Sequence, residues 1–377
     1  MRLFGRKAAA VAGRPALMRS MLAAAAAGEW PRGYEAQVRE AYLGNAVAQR
    51  AVRLVAESVA GAPLLASDAA VAALVGARSG GQALLETIAA QLLLHGNAYV
   101  QVLRDPGGDV AELFALRPER VTVEADASGW PAAYRYAVGA RVQRLSADPV
   151  RPDVIHLKRF NPVDDHYGLG CLGAAAGAVA VHNAAARWNK ALLDNAARPS
   201  GALVYDAGDG STLSPEQYER LRAEMEAGFA GSGNAGRPML LEGGLKWQAL
   251  SLSPADMDFA GTKAAAAREI ALAFGVPPML LGLPGDATYA NYREANRALW
   301  RLSVLPLADA MLGALVQGLS GWFAGATLAI DLDRVPALAE DRAMLWRSVS
   351  AAGFLGDDEK RAMLGIAGPA PVVEAAA

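Results

Sequence analysis

The sequence predicts an α+β protein with an elongated subunit. Short strands with alternating apolar residues are concentrated between residues 98 and 160, next to two helices. Further along, two long alanine-rich helices, Leu172–Ala197 and Ala255–Phe274, flank a compact insert at residues 199–252. At 1.5 Å of rise per residue, these helices are on the order of 40 and 30 Å long. We therefore predict an α+β body joined to a helix pair that carries the insert at its far end.

The first part of the chain predicts two helices followed by antiparallel strands. Tyr34–Ala60 has apolar residues near the helical period and ends before Pro63. A second helix, Gly81–His95, leads into the strands. The strands are predicted at Ala98–Arg104, Ala111–Leu116, Val121–Ala125, Ala133–Val138 and Val154–Phe160. This region is therefore predicted to be a small antiparallel β region that rests on two helices.

The insert has the pattern of a small α/β unit. A strand at Ala202–Tyr205 precedes a helix at Pro215–Phe229. Ser214 is the predicted N-cap, the proline that follows suits the first helical position, and Gln217 completes a capping box. Met239–Leu241 predicts a second strand.

The second long helix is predicted to end in a rigid elbow. Gly275 is the predicted C-cap, and Pro277 and Pro278 prevent the helix from continuing. Alanine combines high helix propensity with a small side chain, so a neighbouring helix can approach closely. The alanines predicted to pack the helix pair are Ala264, Ala267, Ala271, Ala175 and Ala178.

The C-terminal part is predicted to be mostly helical. Tyr289–Leu319 forms a long helix with a kink at Pro306. A strand at Thr327–Leu332 and short helices near 336–352 and 357–364 follow. The run Ser303–Ile330 is long enough to cross a bilayer, which leaves a membrane anchor as a weaker alternative. Its proline, aspartate and glutamine favour a buried helix instead.

Composition limits the possible functions. The net charge of −2 argues against a protein that depends on tight, sequence-independent nucleic-acid binding. Cys171 is the single cysteine, so no intramolecular disulfide forms, which suits a cytoplasmic origin. Residues 1–28 contain five basic residues and no acidic one, and we predict a mobile basic arm rather than a signal peptide.

One motif suggests an enzyme. Gly168–Gly173 matches the G-x-G-x-x-G fingerprint of dinucleotide sites and opens a helix. A loop separates it from the preceding strand, however, where the fingerprint needs a tight turn, so we favour glycines that break the chain before a close-packed helix. A nicotinamide-dependent (NAD) oxidoreductase is the alternative. The chain has no Walker A sequence and its four histidines lack metal-binding spacing, so no cofactor, metal or catalytic residue is predicted.

Several stretches, taken in order, resemble the portal protein family of tailed bacteriophages, in the short siphophage form that also occurs in gene transfer agents. The matching stretches are Leu92–Val100, Tyr167–Gly170, Pro199–Val204, Leu213–Gln217, Asn234–Gly243, Phe274–Gly282 and Ala287–Asn291. Near the C-terminus, Gly356–Glu359 stands where the family tends to have a Thr-x-Asn-Glu turn. The end region, the family's crown, is correspondingly short.

The resemblance implies a phage portal fold and a division of the chain. Its parts are a basic flexible arm (1–30), an α+β wing (31–170), a first stem helix (171–198), a clip (199–252), a second stem helix (253–275), a channel-facing loop and wing helix (276–325), a crown-side strand and helices (326–368) and a disordered tail (369–377). The alanine-rich helices then also let ring neighbours pack closely around a pore.

The resemblance also implies a non-enzymatic role in a phage-like particle. Portal subunits form a ring, usually of twelve, at one capsid vertex, assembled in the bacterial cytoplasm. Double-stranded DNA passes along the ring axis during packaging and ejection. The implied partners are other copies of the chain, the major capsid protein, the terminase large subunit and a head–tail adaptor, with no membrane.

The channel-facing segment is predicted from Leu283 to Asn291 and the helix that follows. The candidate DNA-channel residues are Asp286, Thr288, Tyr289, Asn291, Arg293, Arg297, Lys263 and Arg268. Arg293, Arg297 and Arg301 recur every four residues and share one helix face. They either contact phosphates or pair with acids such as Glu294. We favour ion pairing or solvation, because exposed charge stripes are usually solvated faces.

Overall fold

The computed structural model describes residues 16–18, 33–194, 201–205, 212–229, 245–249, 259–283 and 289–366. The α-helices in this part of the chain are α1 (Tyr34–Val38), α2 (Ala46–Ala60), α3 (Ala69–Gly76), α4 (Leu84–Leu94), α5 (Leu172–Asp194), α6 (Pro215–Phe229), α7 (Phe259–Ala273), α8 (Tyr289–Leu299), α9 (Leu305–Leu319), α10 (Ala339–Ala351) and α11 (Asp357–Leu364). The mixture of helices and sheets confirms the predicted α+β class.

The strands form small antiparallel sheets. They are β1 (Leu64–Ala66), β2 (Arg78–Ser79), β3 (Gln82–Ala83), β4 (Asn97–Arg104), β5 (Val110–Leu116), β6 (Val121–Ala125), β7 (Pro131–Val138), β8 (Arg141–Ser146), β9 (Val154–Lys158), β10 (Gly201–Tyr205), β11 (Leu245–Ala249) and β12 (Leu328–Ile330). Two sheets have three strands each, in the orders β5-β4-β9 and β6-β7-β8. The remaining pairs are β1 with β12, β2 with β3, and β10 with β11.

The main hydrophobic core joins the beginning and the end of the chain. The buried side chains of α2, such as Val52, Val55 and Val59, recur at helical spacing and pack towards α4. Helix α9 supplies Met311 and Leu315, both fully buried, to the same core. The core around the first hundred residues is therefore completed by a helix that follows the helix pair and the insert in the sequence.

The predicted helix Tyr34–Ala60 is wrong as a single element. Helix α1 passes into a π-helical turn at Arg39–Leu43 and stops at Gly44. Asn45 is extended, and its Oδ1 accepts hydrogen bonds from the backbone N–H groups of Val47 and Ala48, which makes it the N-cap of α2. The Gly-Asn pair in the sequence is the local signal for this break.

The predicted helix at Gly81–His95 begins three residues later than expected. Gly80 and Gly81, at φ +56° and +82°, form the two-residue turn of the hairpin β2-β3, and α4 begins only at Leu84. Both turn positions need positive φ, which glycine adopts without strain. The elements β1, α3, β2, β3, β8 and β11 were not predicted, because they are short and their apolar patterns are weak.

The two long helices pack against each other as predicted. Helices α5 and α7 are in extensive contact, and the strands β10 and β11, which lie between them in the sequence, pair antiparallel with Gly201 opposite Ala249. Helix α6 has the predicted bounds, and its capping box is present: Ser214 N–H donates to Gln217 Oε1, and Gln217 N–H donates to Ser214 Oγ. The strand expected at 239–241 and the ends of the long helices at 195–197 and 255–258 lie outside the described residues.

The elbow after α7 has the predicted C-cap. Gly275 has φ +67°, its N–H donates to Leu272 O, and the N–H of Val276 donates to Ala271 O. These are the two hydrogen bonds of a Schellman motif. A short 3₁₀ turn at Pro278–Leu281 follows, and Ser303 Oγ donates to Gly275 O at 2.5 Å, which connects the elbow to the next long helix.

The long helix near the C-terminus is interrupted where proline removes a donor. Helix α8, a π-helical turn at Trp300–Val304 and helix α9 follow one another without a gap, and Pro306 is the second residue of α9. The described segment Ala290–Leu319 is long and apolar enough to cross a membrane. One side of α9 nevertheless lies in the protein core, as in a buried helix.

Candidate channel segment and its supporting joints

The structure describes part of the predicted channel segment. Asp286 and Thr288 lie outside the described residues, and so does the side chain of Tyr289, the first residue of α8. Asn291, on the first turn of α8, is exposed to solvent. The arginines that follow it are fully described, and they allow the choice between ion pairing and free positive charge to be examined.

The α8 arginines form ion pairs within the subunit. Arg293 lies 2.7 Å from Glu340 Oε1, and Arg297 lies 2.9 Å from Glu340 Oε2. Arg297 also lies 3.2 Å from Glu294 and 3.4 Å from Asp341, and its side chain is only 18% exposed. The pairing favoured from the sequence is therefore confirmed for these two arginines. Sequence reasoning missed Glu340 and Asp341, whose first-turn position in α10 is typical of helix-capping acids.

Carboxylates of the same subunit neutralise the positive charge of the two arginines in this cluster. Three carboxylates surround two guanidinium groups, so the α8 face of the cluster carries no excess positive charge. The ion pairs are partly exposed, and such pairs contribute about 0–1 kcal/mol each to stability. Their main effect is on the local electrostatic potential.

Lys263 and Arg268 lie on α7 and point in different directions. Five residues along a helix correspond to about 140° of net rotation, so the two side chains do not share a face. Lys263 is half-buried and lies near His182 of α5, whereas Arg268 is exposed. The structure thus separates these two candidates from each other.

The predicted packing alanines lie where the two long helices meet the rest of the subunit. Ala267 and Ala271 of α7 and Ala175 and Ala178 of α5 are buried, and Ala264 is half-buried. Because this burial occurs within one subunit, these alanines already serve the packing of a single chain. The outward face of α7 includes larger groups, among them Leu272.

A polar joint links α5 to the break before α2. Asn45 Nδ2 donates to Asn183 Oδ1 at 2.8 Å and lies 3.0 Å from His182 Nδ1, while Asn183 Nδ2 donates to Glu40 O at 3.0 Å. Both asparagines are buried. Burial, followed by the charge of Lys263, lowers the pKa of His182. The neutral ring can then accept the hydrogen bond from Asn45 at Nδ1. No local pattern in the sequence indicates that these residues meet.

A second cluster of polar side chains, the Asn97 hub, binds the loop that precedes α5. Asn97 Oδ1 accepts from Gly168 N–H at 2.7 Å and lies 3.0 Å from His156 Nε2. Asn97 Nδ2 donates to Gly168 O and lies 3.1 Å from His95 Nδ1. The His156 ring stacks on Tyr99 with centroids 4.3 Å apart. Burial lowers the pKa of His156 to about 3 and that of His95 to about 4, so both rings are neutral near pH 7.

The glycines of the dinucleotide-like motif serve this hub. A Cβ atom at Gly168 would lie 2.1 Å from Gly96 O, and one at Gly170 would lie 2.4 Å from Leu94 O. These glycines therefore let two backbone segments touch, and they leave no cradle for a pyrophosphate. Gly173, in contrast, has open space around it. The glycines are structural, as favoured from the sequence, although their close contact is with another backbone segment rather than with a helix. Nothing in this geometry supports the oxidoreductase alternative.

Comparisons with known proteins agree with this architecture. The chain is 39% identical over 347 residues to a protein of Rickettsia felis, covering 87% of this chain and 88% of that one. A chain in the virion of a native gene transfer agent particle is 51% identical, with a TM-score of 0.69, and the match covers 91% of this chain and 97% of that one.

A chain in the neck of a native gene transfer agent particle, computed with C12 symmetry, is 50% identical, with a TM-score of 0.69 and coverage of 92% and 98%. The family model described as "Phage portal protein" matches residues 46–365, which include the polar hub around Asn97, the α5–α7 pair and the α8–α10 ion-pair cluster. The chain belongs to the phage portal protein family.

Proposed function

We propose that this chain is the portal subunit of a gene-transfer-agent-like particle, and that twelve copies of it form a ring at one capsid vertex. Family membership over residues 46–365 supports the portal role. The similarity to a chain in a neck computed with C12 symmetry supports the ring and its size. Double-stranded DNA passes through this ring during packaging and ejection.

The described elements fit the parts of such a subunit. We assign α5 and α7 to the stem, β10, α6 and β11 to the clip, and the body that contains α2, α4 and the three-stranded sheets to the wing. Helices α8 and α9 form the channel-facing segment and wing helix, and α10 and α11 form a short crown. The Gly275 elbow joins the stem to the channel-facing segment, and its hydrogen bonds favour a rigid joint.

The ion-pair cluster on α8 is the observation that best supports a conduit. Each phosphate that a protein neutralises adds salt-dependent affinity, and such affinity slows the sliding of DNA. Arg293 and Arg297 are already paired with Glu340, so they present little unbalanced charge to a passing duplex. A surface of this kind lets DNA pass without holding it.

The proposed partners follow from the same role. The ring is set in the major capsid protein shell, docks the terminase large subunit during packaging and later binds a head–tail adaptor. Assembly takes place in the bacterial cytoplasm, and the mature location is the particle. The subunit itself carries out no catalysis and needs no cofactor.

The decisive experiment is to image the purified full-length protein by negative-stain electron microscopy and to weigh it by native mass spectrometry. We expect rings with a central hole and the mass of twelve 39.2 kDa chains. A protein that stays monomeric at every concentration, and also inside assembled particles, would contradict the proposal.

A further inference from the structure

An apolar groove of about 840 Å³ lies where the elbow faces the loop before α5. Its floor is formed by core residues such as Leu92, Phe274 and Met311. Four large apolar side chains stand at its edge with 54 to 86% of their surface exposed. They are Phe160, Leu169, Leu272 and Leu302. So much exposed apolar surface around one concavity marks an interaction site.

The groove has a positive edge. Lys158 and Arg159 line it, and no carboxylate does among the described residues. Lys158 Nζ donates to a backbone oxygen, that of Asp165, and Arg159 lies 3.8 Å from the sulfur of Cys171, so neither cation is neutralised by these contacts. A partner for the groove therefore needs an apolar group next to negative charge.

The same chain carries a surface with those properties. The turn between α10 and α11 exposes Phe354, which is 88% accessible. Asp357 and Asp358, in the first turn of α11, are exposed beside it. Glu359 accepts a hydrogen bond from Gly356 N–H, and this bond fixes the start of α11 and so the position of the acidic turn. An aromatic knob flanked by acids is the complement of an apolar groove flanked by bases.

Ring geometry requires two such surfaces on one chain. In a closed ring each subunit uses one patch to contact its left neighbour and a different patch to contact its right neighbour. We propose that the groove of one subunit binds the Phe354 turn of the next, with Lys158 and Arg159 facing Asp357 and Asp358. This inference rests on the proposed ring and names the surfaces that close it.

The charge of the groove disfavours the other occupant within the chain. The N-terminal arm carries five basic residues and no acidic one over residues 1–28, so it would meet like charges at the edge of the groove. Like charges facing each other across an interface work against a partner. The acidic turn after Phe354 has the opposite sign and is favoured.

The test is cross-linking in the full-length protein with Cys171→Ser, which removes the native thiol from the groove. Leu272→Cys and Phe354→Cys are introduced together, and a short bismaleimide is added to the assembled protein. We expect a ladder of dimers, trimers and larger species, because every subunit carries both reactive surfaces. A mixture of the two single-cysteine proteins is expected to cross-link only between unlike chains.

Three outcomes overturn the proposal. Cross-linking of Leu272→Cys to itself would indicate a two-fold contact. Intact rings without any cross-link between the two positions would assign the groove to another partner, such as an adaptor, while leaving the proposed portal role untouched. Failure of the parent protein to form rings would remove the proposed function and this interface together.

A second measurement does not depend on cross-linking. Phe354→Ser is expected to raise the protein concentration at which half the chains are in rings by at least about tenfold, as removal of a buried aromatic anchor does. Val142→Ser, on the exposed face of β8, is the matched control and should leave this concentration unchanged. Equal behaviour of the two variants would contradict the inference.

Discussion

The Asn97 hub and the α8–α10 ion-pair cluster perform the same task with different chemistry. Both join segments that are far apart in the sequence, and both do so with polar groups. The hub is buried, and its groups are neutral. The cluster is partly exposed and charged. Because the hub is buried, losing one of its hydrogen bonds lowers the stability of the fold substantially. Because the cluster is in contact with water, its ion pairs add little to stability, and their main effect is on the local electrostatic potential.

The largest expected effect comes from filling the space between the two backbones of the hub. Gly170→Ala forces a Cβ to within 2.4 Å of Leu94 O, and the backbone must move to relieve the clash. We expect a loss of about 3 kcal/mol in the free energy of unfolding, at the upper end for overpacking. Urea denaturation measures it. Gly173→Ala, three residues later in open space, is the control and should cost nothing. Equal stability of the two variants would show that the hub tolerates separation.

The next effect comes from removing the amide at the centre of the hub. Asn97→Ala leaves Gly168 N–H and His156 Nε2 without their buried acceptor. Unsatisfied buried donors cost about 1–3 kcal/mol each, so we expect a loss of roughly 2–3 kcal/mol in chemical denaturation. The loss of stability in Asn183→Ala, which removes a buried amide from the polar joint between α2 and α5, provides a comparison. A loss below 1 kcal/mol for Asn97→Ala would mean that water replaces the amide.

The hub histidines make stability depend on pH. Their folded-state pKa values, about 3 and about 4, lie below the ordinary value of 6.5. As the pH falls below 6.5, the unfolded chain binds protons that the folded chain rejects, so stability falls until the folded pKa values are reached. Each histidine contributes up to about 1.4 kcal/mol per pH unit in this window.

This pH dependence is checked by thermal or urea unfolding between pH 6.5 and 5. His156→Gln should remove about half of the contribution that the two hub histidines make to the slope, because His95 still titrates. An unchanged slope would show that His156 remains accessible to protons in the folded state.

The smallest effect on stability, and the clearest effect on charge, is expected in the ion-pair cluster. Glu340→Gln removes the partner of Arg293 and one partner of Arg297. The free energy of unfolding should change by less than about 1 kcal/mol. Binding of double-stranded DNA should strengthen, and the slope of log K against log salt should steepen by about 0.9 for each arginine that gains a phosphate.

Glu57→Gln on α2 is the matched control for this charge change. Glu57 pairs with Arg50 and Arg53, in another part of the subunit, and its loss changes the net charge by the same amount. Fluorescence anisotropy with a labelled duplex compares the two variants. Identical binding curves would show that the α8 arginines do not face the DNA.

The sequence predicted elements whose causes are local. Helix α6 has its predicted bounds because Ser214, Pro215 and Gln217 determine its start without help from the rest of the fold. The Gly275 cap is likewise a local motif. The helix break at Gly44 was missed because apolar periodicity continues across it, and only the Gly-Asn pair marks the interruption.

Features that depend on contacts between distant parts of the chain were harder to predict from the sequence. The sequence identified Leu92–Val100 and Tyr167–Gly170 as separate matching stretches, and the structure brings them together at the Asn97 hub. The arginine stripe on α8 was predictable from its spacing. Its partner Glu340 was not, because it lies 47 residues away from Arg293 on another helix. Tertiary pairing, which local patterns do not encode, decided these cases.

The late arrival of α9 in the core has a consequence for synthesis of the chain. Helices α2 and α4 are complete by residue 94, but Met311 and Leu315, which cover the same core, emerge more than two hundred residues later. At translation rates of about 5–20 residues per second, this interval lasts on the order of 10–50 s. During this time the nascent chain exposes apolar surface that only its own C-terminal part can cover. Ribosome-associated chaperones are therefore expected to bind the growing chain until residue 319 has left the exit tunnel.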